Sequence, residues 1–124
     1  MKINFECPQC HHKIKADYPD IIHSGFDDSG FLYCDKSGDL LTWSSFDPRY
    51  VQLVGQIHPW ALSKEQKSIV ESSLIRCDCG GTFAFAATPR CPVCNHTIPE
   101  ISIDDIHWIR LKNHIDGRKT NIWK

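Results

Sequence analysis

The chain alternates short strand-like runs with turn signals over its first 45 residues. Lys2–Glu6 (KINFE) leads into Cys7-Pro8-Gln9-Cys10, and Lys13–Asp17 (KIKAD) leads out. Residues 31–33 lead into Cys34, and residues 39–44 (DLLTWS) lead out. Each cysteine cluster thus falls on a turn between two predicted strands. The pattern then turns helical. Asp47 as a cap, Pro48 at the first helical position and Gly55 as a stop predict a short helix over Pro48–Val54. His58-Pro59-Trp60 breaks it. Ser63 and Gln66 have capping-box spacing, and Ile69, Val70 and Leu74 supply an apolar stripe, so residues 64–74 are expected to form the one substantial helix.

Strands return afterwards. Residues 74–76 enter Cys77–Gly81 and residues 82–86 (TFAFA) leave it. Arg90 enters Cys91–Cys94, and residues 98–101 follow. At the end, residues 106–115 and 118–123 flank Asp116-Gly117, a favoured two-residue turn, and predict a C-terminal β-hairpin. The expected fold class is α+β, mainly β. It has a unit over residues 1–46, a helical bridge over 47–74 and a second unit with the hairpin over 75–124, all packed as one compact domain.

Composition narrows the function classes. At 41% apolar and 23% charged over 124 residues, the chain has the make-up of a folded domain. No apolar run approaches the roughly 20 residues a membrane span needs. The first residues, MKINFECPQC, hold no apolar stretch of a secretory signal, so a cytoplasmic protein is expected. Seven cysteines cannot all pair within one chain. In a reducing compartment their close spacing reads as metal ligation rather than disulfides.

Cys77-x-Cys79 and Cys91-x-x-Cys94 are separated by eleven residues. Two close thiolate pairs suit tetrahedral zinc, each pair forming one edge. Gly80 and Gly81 let the first turn bend so that N–H groups can face sulfur, and Asn95 tolerates a left-handed backbone after Cys94. Read alone, Cys-Pro-Val-Cys is also a dithiol redox pattern, but that chemistry has no use for the Cys77/Cys79 turn. This spacing therefore predicts one zinc on Cys77, Cys79, Cys91 and Cys94. A second is placed on Cys7, Cys10 and Cys34. Its matching turn, Cys34-Asp35-Lys36-Ser37-Gly38, holds serine where a fourth cysteine is expected. His11, His12, His23 or Ser37 are candidates for the fourth position; otherwise water fills it, or the cysteines pack without metal as small apolar residues. His58, His107 and His114 read as ordinary surface or packing residues, and His96 as a neighbour of the second cluster. Aromatics on predicted strands (Phe5, Phe31, Tyr33, Trp43, Phe83, Phe85, Trp108, Trp123) are expected to join the two units across the helix, because a pair of cysteine turns on short strands is too thin to form a core alone.

Cys77–Asn95 (CDCGG…PRCPVCN) resembles the zinc-ribbon, or rubredoxin-knuckle, proteins, and so does residues 7–38 (CPQC…CDKSG). The resemblance covers most of residues 2–44 and 75–101. It implies two β-hairpins that each present a knuckle with zinc between them, and it departs from the family at Ser37. It implies a fold and a metal, not a function.

Charge separates three functions. The formal net charge is −1, with −3 on residues 1–62 and +2 on residues 63–124. This near-neutral balance and a closed structural zinc site favour a protein–protein interaction module, a small bacterial-type regulator or inhibitor such as an immunity protein. Its carboxylates (Asp17, Asp20, Asp27, Asp28, Asp35, Asp39 and Asp47) could face a basic partner. Nucleic-acid binding is the alternative, because zinc ribbons often do this and residues 110–124 are basic. It is disfavoured by a pI near 6.6. No HExxH, deaminase pattern, phosphate loop or nucleophile elbow occurs, so the protein is not expected to be an enzyme or to act at a membrane.

Overall fold

The computed structural model describes residues 2–17, 29–97 and 113–124. Two strands, β1 (Lys2–Glu6) and β2 (Lys13–Asp17), pair antiparallel from Lys2↔Asp17 to Glu6↔Lys13. A second sheet has the order β5-β3-β4-β6. Its strands are β3 (Ser29–Cys34), β4 (Leu40–Ser44), β5 (Phe83–Ala84) and β6 (His114–Asp116). β3 pairs antiparallel with both β4 and β5, whereas β6 lies parallel to β4. This sheet joins strands from both halves of the chain.

The helices follow their sequence signals. α1 (Pro48–Val54) begins at Asp47, whose carboxylate accepts from the Arg49 N–H, and ends at Gly55 with φ 87°. A 3-10 turn, Pro59–Ala61, occupies the predicted break. α2 (Lys64–Ser73) carries the full capping box. The Gln66 N–H donates to Ser63 Oγ at 3.2 Å, and the Ser63 N–H donates to Gln66 Oε1 at 2.9 Å. Reciprocal bonds of this kind satisfy two N–H groups that a helix start would otherwise leave unpaired.

The core forms where the sheet meets both helices. Leu32, Leu41, Trp43, Tyr50, Val70, Phe83 and Ile122 are buried together there. Trp43 is the centre, with Tyr50, Phe85 and Trp123 rings at 6.0, 6.2 and 6.3 Å. Gly30 makes room for it: a Cβ there would lie 2.2 Å from the Trp43 ring. Period-two alternation puts Tyr33 and Leu40 on the opposite sheet face, with Phe31 and Ala87 against them. Of the aromatics expected to join the two units, Trp43, Phe83, Phe85 and Trp123 meet in this core, whereas Phe31 and Tyr33 do not. Trp108 and the Phe5 side chain lie outside the described residues. Val70 and Leu74 are buried as expected, whereas Ile69 stays 42% exposed on α2.

The C-terminal hairpin is not what the described residues form. β6 does not pair with residues 118–123. It runs beside β4 with Leu40↔His114 register, and Trp123 bridges Leu74 instead. Burial explains the difference. A hairpin would have to be satisfied by its own two strands, but Ile122 and Trp123 are drawn into the core and Ile115 packs against it. Asp116-Gly117 still turns, and the Gly117 N–H donates to Thr42 O at 2.8 Å. A Cβ at Gly117 would approach that oxygen to 2.7 Å, so the site accepts only glycine without a shift. The rest of the proposed hairpin, and residues 98–101, lie outside the described residues. No helix among the described residues is long and apolar enough to cross a membrane.

Candidate metal centre

Four turns carry the seven cysteines, and three share one backbone pattern. In the first, the Cys7 N–H donates to His12 O and the His11 N–H to Cys7 O, both at 2.9 Å. In the second, the Cys34 N–H donates to Asp39 O at 2.8 Å and the Gly38 N–H to Cys34 O at 3.0 Å. In the fourth, the Cys91 N–H donates to His96 O at 2.9 Å and the Asn95 N–H to Cys91 O at 3.0 Å. The third turn is shorter. The Cys77 N–H donates to Gly81 O at 3.1 Å and the Gly80 N–H to Cys77 O at 2.9 Å. All four need one left-handed residue, supplied by His11 (φ 63°), Gly38 (79°), Gly80 (89°) and Asn95 (64°). The tight turns aim amides at sulfur. Ser37 N lies 3.4 Å from Cys34 Sγ, Gly81 N 3.3 Å from Cys79 Sγ and Val93 N 3.4 Å from Cys91 Sγ.

The sulfurs gather into two groups: Cys7, Cys10, Cys91 and Cys94, and Cys34, Cys77 and Cys79. Within each group the ligand atoms lie within 4.8 Å of one another, so each group could hold a metal ion. In the first group Cys7 and Cys94 sulfurs are 3.6 Å apart, and Cys10 and Cys91 sulfurs 3.7 Å. In the second, Cys34 and Cys79 sulfurs are 3.4 Å apart. A disulfide needs about 2.05 Å, and all seven cysteines are free.

This grouping corrects the one expected from spacing. Cys77 and Cys79 do not share a site with Cys91 and Cys94, and Cys34 does not share one with Cys7 and Cys10. The first turn pairs with the fourth, and the second with the third. The cause is the sheet: β5 leaves the Cys77–Gly81 turn and pairs with β3 through Cys34↔Phe83, which carries the third turn to the second. The Asp35 N–H then donates to Thr82 O, and the Thr82 N–H to Asp35 Oδ1, both at 2.9 Å. Gly81 backs directly onto Cys34, where a Cβ would lie 2.6 Å from its sulfur. A sequence signal for this pairing exists. The first and fourth turns share the form Cys-Pro-x-Cys, and the second and third both begin Cys-Asp.

The histidine candidates fall away from the sulfur groups. His11 and His12 are exposed; His11 Nδ1 lies 3.9 Å from Glu6 Oε2, and its side chain is turned to solvent. The partners of Cys7 and Cys10 are cysteines, so no imidazole is needed there. His23 lies outside the described residues. Ser37 is the candidate that the structure does place against a group. Its Oγ is 3.5 Å from Cys77 Sγ and accepts from the Asp39 N–H at 3.2 Å. Asp39, which the sequence reading missed as a site residue, brings Oδ2 to 3.6 Å from Cys77 Sγ.

The two groups are neighbours. The Arg90 guanidinium donates to Asn95 O at 3.0 Å and to Asp35 O at 2.9 Å, and the Asn95 amide donates to Lys36 O at 3.0 Å. Gly38 allows this approach; a Cβ there would lie 2.8 Å from Arg90 Cβ. As free thiols, the members of each group ionise unequally. The contact with Ser37 brings Cys79 down to about 7, while burial pushes Cys77 up to about 12. In the other group, burial opposes ionisation of Cys91, but amides of Cys94 and Val93 and the sulfurs of Cys10 and Cys7 bring it down to about 7. A backbone bond from His12 favours the Cys10 thiolate, yet burial and three adjacent sulfurs outweigh it and hold that thiol at about 12.

Residues 3–100 match the family described as Domain of unknown function (DUF8255). The chain belongs to that family. The matched span takes in all seven cysteines and both helices. No curated protein and no solved structure matches the chain.

Proposed function

We infer that this protein is a two-zinc structural module that works by binding another protein. The observation that carries the reading is the cluster of four thiols at Cys7, Cys10, Cys91 and Cys94. A tetrahedral zinc with bonds of about 2.3 Å sets its sulfurs about 3.8 Å apart, and the 3.6 and 3.7 Å separations in this group are close to that spacing. Four thiolates leave no coordination position for chemistry, so such a zinc holds the chain together. Cys34, Cys77 and Cys79 supply three more thiolates, which are the soft donors that favour zinc over harder cations. The role proposed for the Cys7/Cys10/Cys91/Cys94 zinc is therefore structural.

Protein binding is supported by the surface. Phe46 and Trp60 are each 72% exposed and Val93 is 64% exposed. Aromatic side chains are enriched at interfaces. The His58 ring stacks on Trp60 at 5.1 Å and an interplanar angle of 10°, which steadies the indole in solvent. The formal charge of −1 offers no field for gripping phosphates. A reducing, cytoplasmic setting is proposed with the thiolate sites.

Native mass spectrometry of protein purified without added metal is the direct test. Two zinc ions per chain are expected, and a metal-free folded chain would overturn the reading. A mobility-shift series on single-stranded and duplex nucleic acid tests the other half. No salt-dependent binding is expected; steep salt-dependent binding would replace protein binding with nucleic-acid binding.

A further inference from the structure

The two sulfur groups are not equivalent, and the difference lies at one corner. Cys10 and Cys94 each sit three residues after the first cysteine of their turns. In the otherwise matching Cys34 turn that position is Ser37. The Ser37 hydroxyl borders the fourth corner of the Cys34, Cys77 and Cys79 group, with Oγ 3.5 Å from Cys77 Sγ. A neutral hydroxyl is a poor match for a metal that already holds three soft thiolates. Its Oγ is also engaged, because it accepts from the Asp39 N–H. The Asp39 carboxylate lies beside Cys77, with Oδ2 3.6 Å from its sulfur. No further cysteine, histidine or carboxylate joins the group among the described residues. The corner is also reachable. Cys79 is exposed and Ser37 only partly buried, whereas Cys34 and Cys77 are buried.

The geometry points to an exchangeable fourth ligand at the Cys34/Cys77/Cys79 metal: water at rest, replaced by a small thiol. This rests on the two-metal reading above. With a divalent metal and three thiolates the centre carries one negative charge. The entering thiol binds as a thiolate, its proton passes to solvent and the water leaves. Nothing is oxidised or reduced. Ser37 and Asp39 are the groups placed to hydrogen-bond the resting water. The Cys7/Cys10/Cys91/Cys94 group has no such position, so the response belongs to one site only.

Cobalt(II) provides the readout, because its thiolate charge-transfer absorbance grows with each sulfur bound. The full chain is loaded with Co2+, the metal is counted, and 2-mercaptoethanol is added. Two cobalt ions per chain are expected, with a band intensity for seven thiolates. The added thiol should raise it by about one-seventh, a ratio set by the seven cysteines. Ser37→Cys should show that higher intensity unaided and no response to the thiol. Fewer than two cobalt ions overturns the two-metal reading and the inference with it. Two cobalt ions with a wild-type band that the thiol leaves unchanged overturns the open corner alone. The wild-type titration decides this whether or not the variant folds.

Discussion

Cys10 Sγ lies 3.7 Å from Cys91 Sγ across 81 residues of sequence. That contact ties the turn after β1 to a turn beyond β5, so one metal there would link the β1–β2 hairpin to the Cys91–Cys94 turn. Cys10→Ser and Cys91→Ser should therefore have the same phenotype. Each should lose one zinc, keep the other, and free the remaining three cysteines of that group for alkylation while Cys34, Cys77 and Cys79 stay protected. Native mass spectrometry with peptide mapping of the alkylated sites checks this. Exposure of Cys77 and Cys79 in Cys91→Ser would restore the grouping expected from spacing.

Local elements were legible in the sequence because their causes are local. Asp47, Pro48 and Gly55 fix both ends of α1, and Ser63 with Gln66 fixes the start of α2. The four cysteine turns were legible for the same reason, as was the left-handed Asn95. Which turns meet was not legible from spacing. A knuckle supplies two corners of a tetrahedron and carries no local record of the other two. The choice is made by β3–β5 pairing, which involves two residues on each strand. The end of the chain failed for a related reason. Asp116-Gly117 signals a turn, but burial of Ile122 and Trp123 decides what the flanking residues pair with.

Arg90 holds the two sulfur groups together through Asp35 O and Asn95 O. A guanidinium bond to a carbonyl is charge-assisted, worth about 1.5–3 kcal/mol when shielded, and partial exposure lowers this. Arg90→Met keeps the aliphatic stem and removes both bonds. A loss of about 1–2 kcal/mol is expected, together with faster zinc loss from both sites in a chelator competition. Faster loss from one site only would show that the knuckles are not held by this residue.

Asp47 serves two elements at once. Oδ1 accepts from the Arg49 N–H at 2.9 Å and caps α1, while Oδ2 accepts from Trp123 Nε1 at 3.1 Å. It thereby fastens the last residues of the chain to the helix start. Asp47→Ala removes the cap and leaves the indole N–H without its partner. The expected cost is about 2–3 kcal/mol, roughly one from the cap and the rest from the indole bond. Asp47→Asn has one acceptor oxygen and can serve only one of the two, so it should lie about midway. Denaturant melts give the ranking, and Trp123 fluorescence should shift in both variants. Equal stability of Asp47→Asn and wild type would show that one of the two bonds contributes nothing.

Asp116 and Arg118 form a local pair with a defined pH signature. Arg118 donates to Asp116 Oδ2 at 3.0 Å through Nη2 and to Oδ1 through both Nε and its backbone N–H. Burial alone would raise the Asp116 carboxyl, but these bonds outweigh it and hold the group below its ordinary value. A carboxyl depressed in the folded state stabilises the fold at any pH above its unfolded value, about 3.9, and loses that contribution as pH falls through the lower folded value. Asp116 is itself largely covered, but Arg118 is about half exposed, so solvent screening keeps the effect on the order of 0.5 kcal/mol. Acid also releases zinc from thiolates, which would mask so small a term in a melting curve. NMR titration of the Asp116 carboxyl carbon isolates it. The midpoint should lie below about 3.9 in the wild type and move upward in Arg118→Ala. An unchanged midpoint in the variant would mean that Arg118 does not hold the carboxylate.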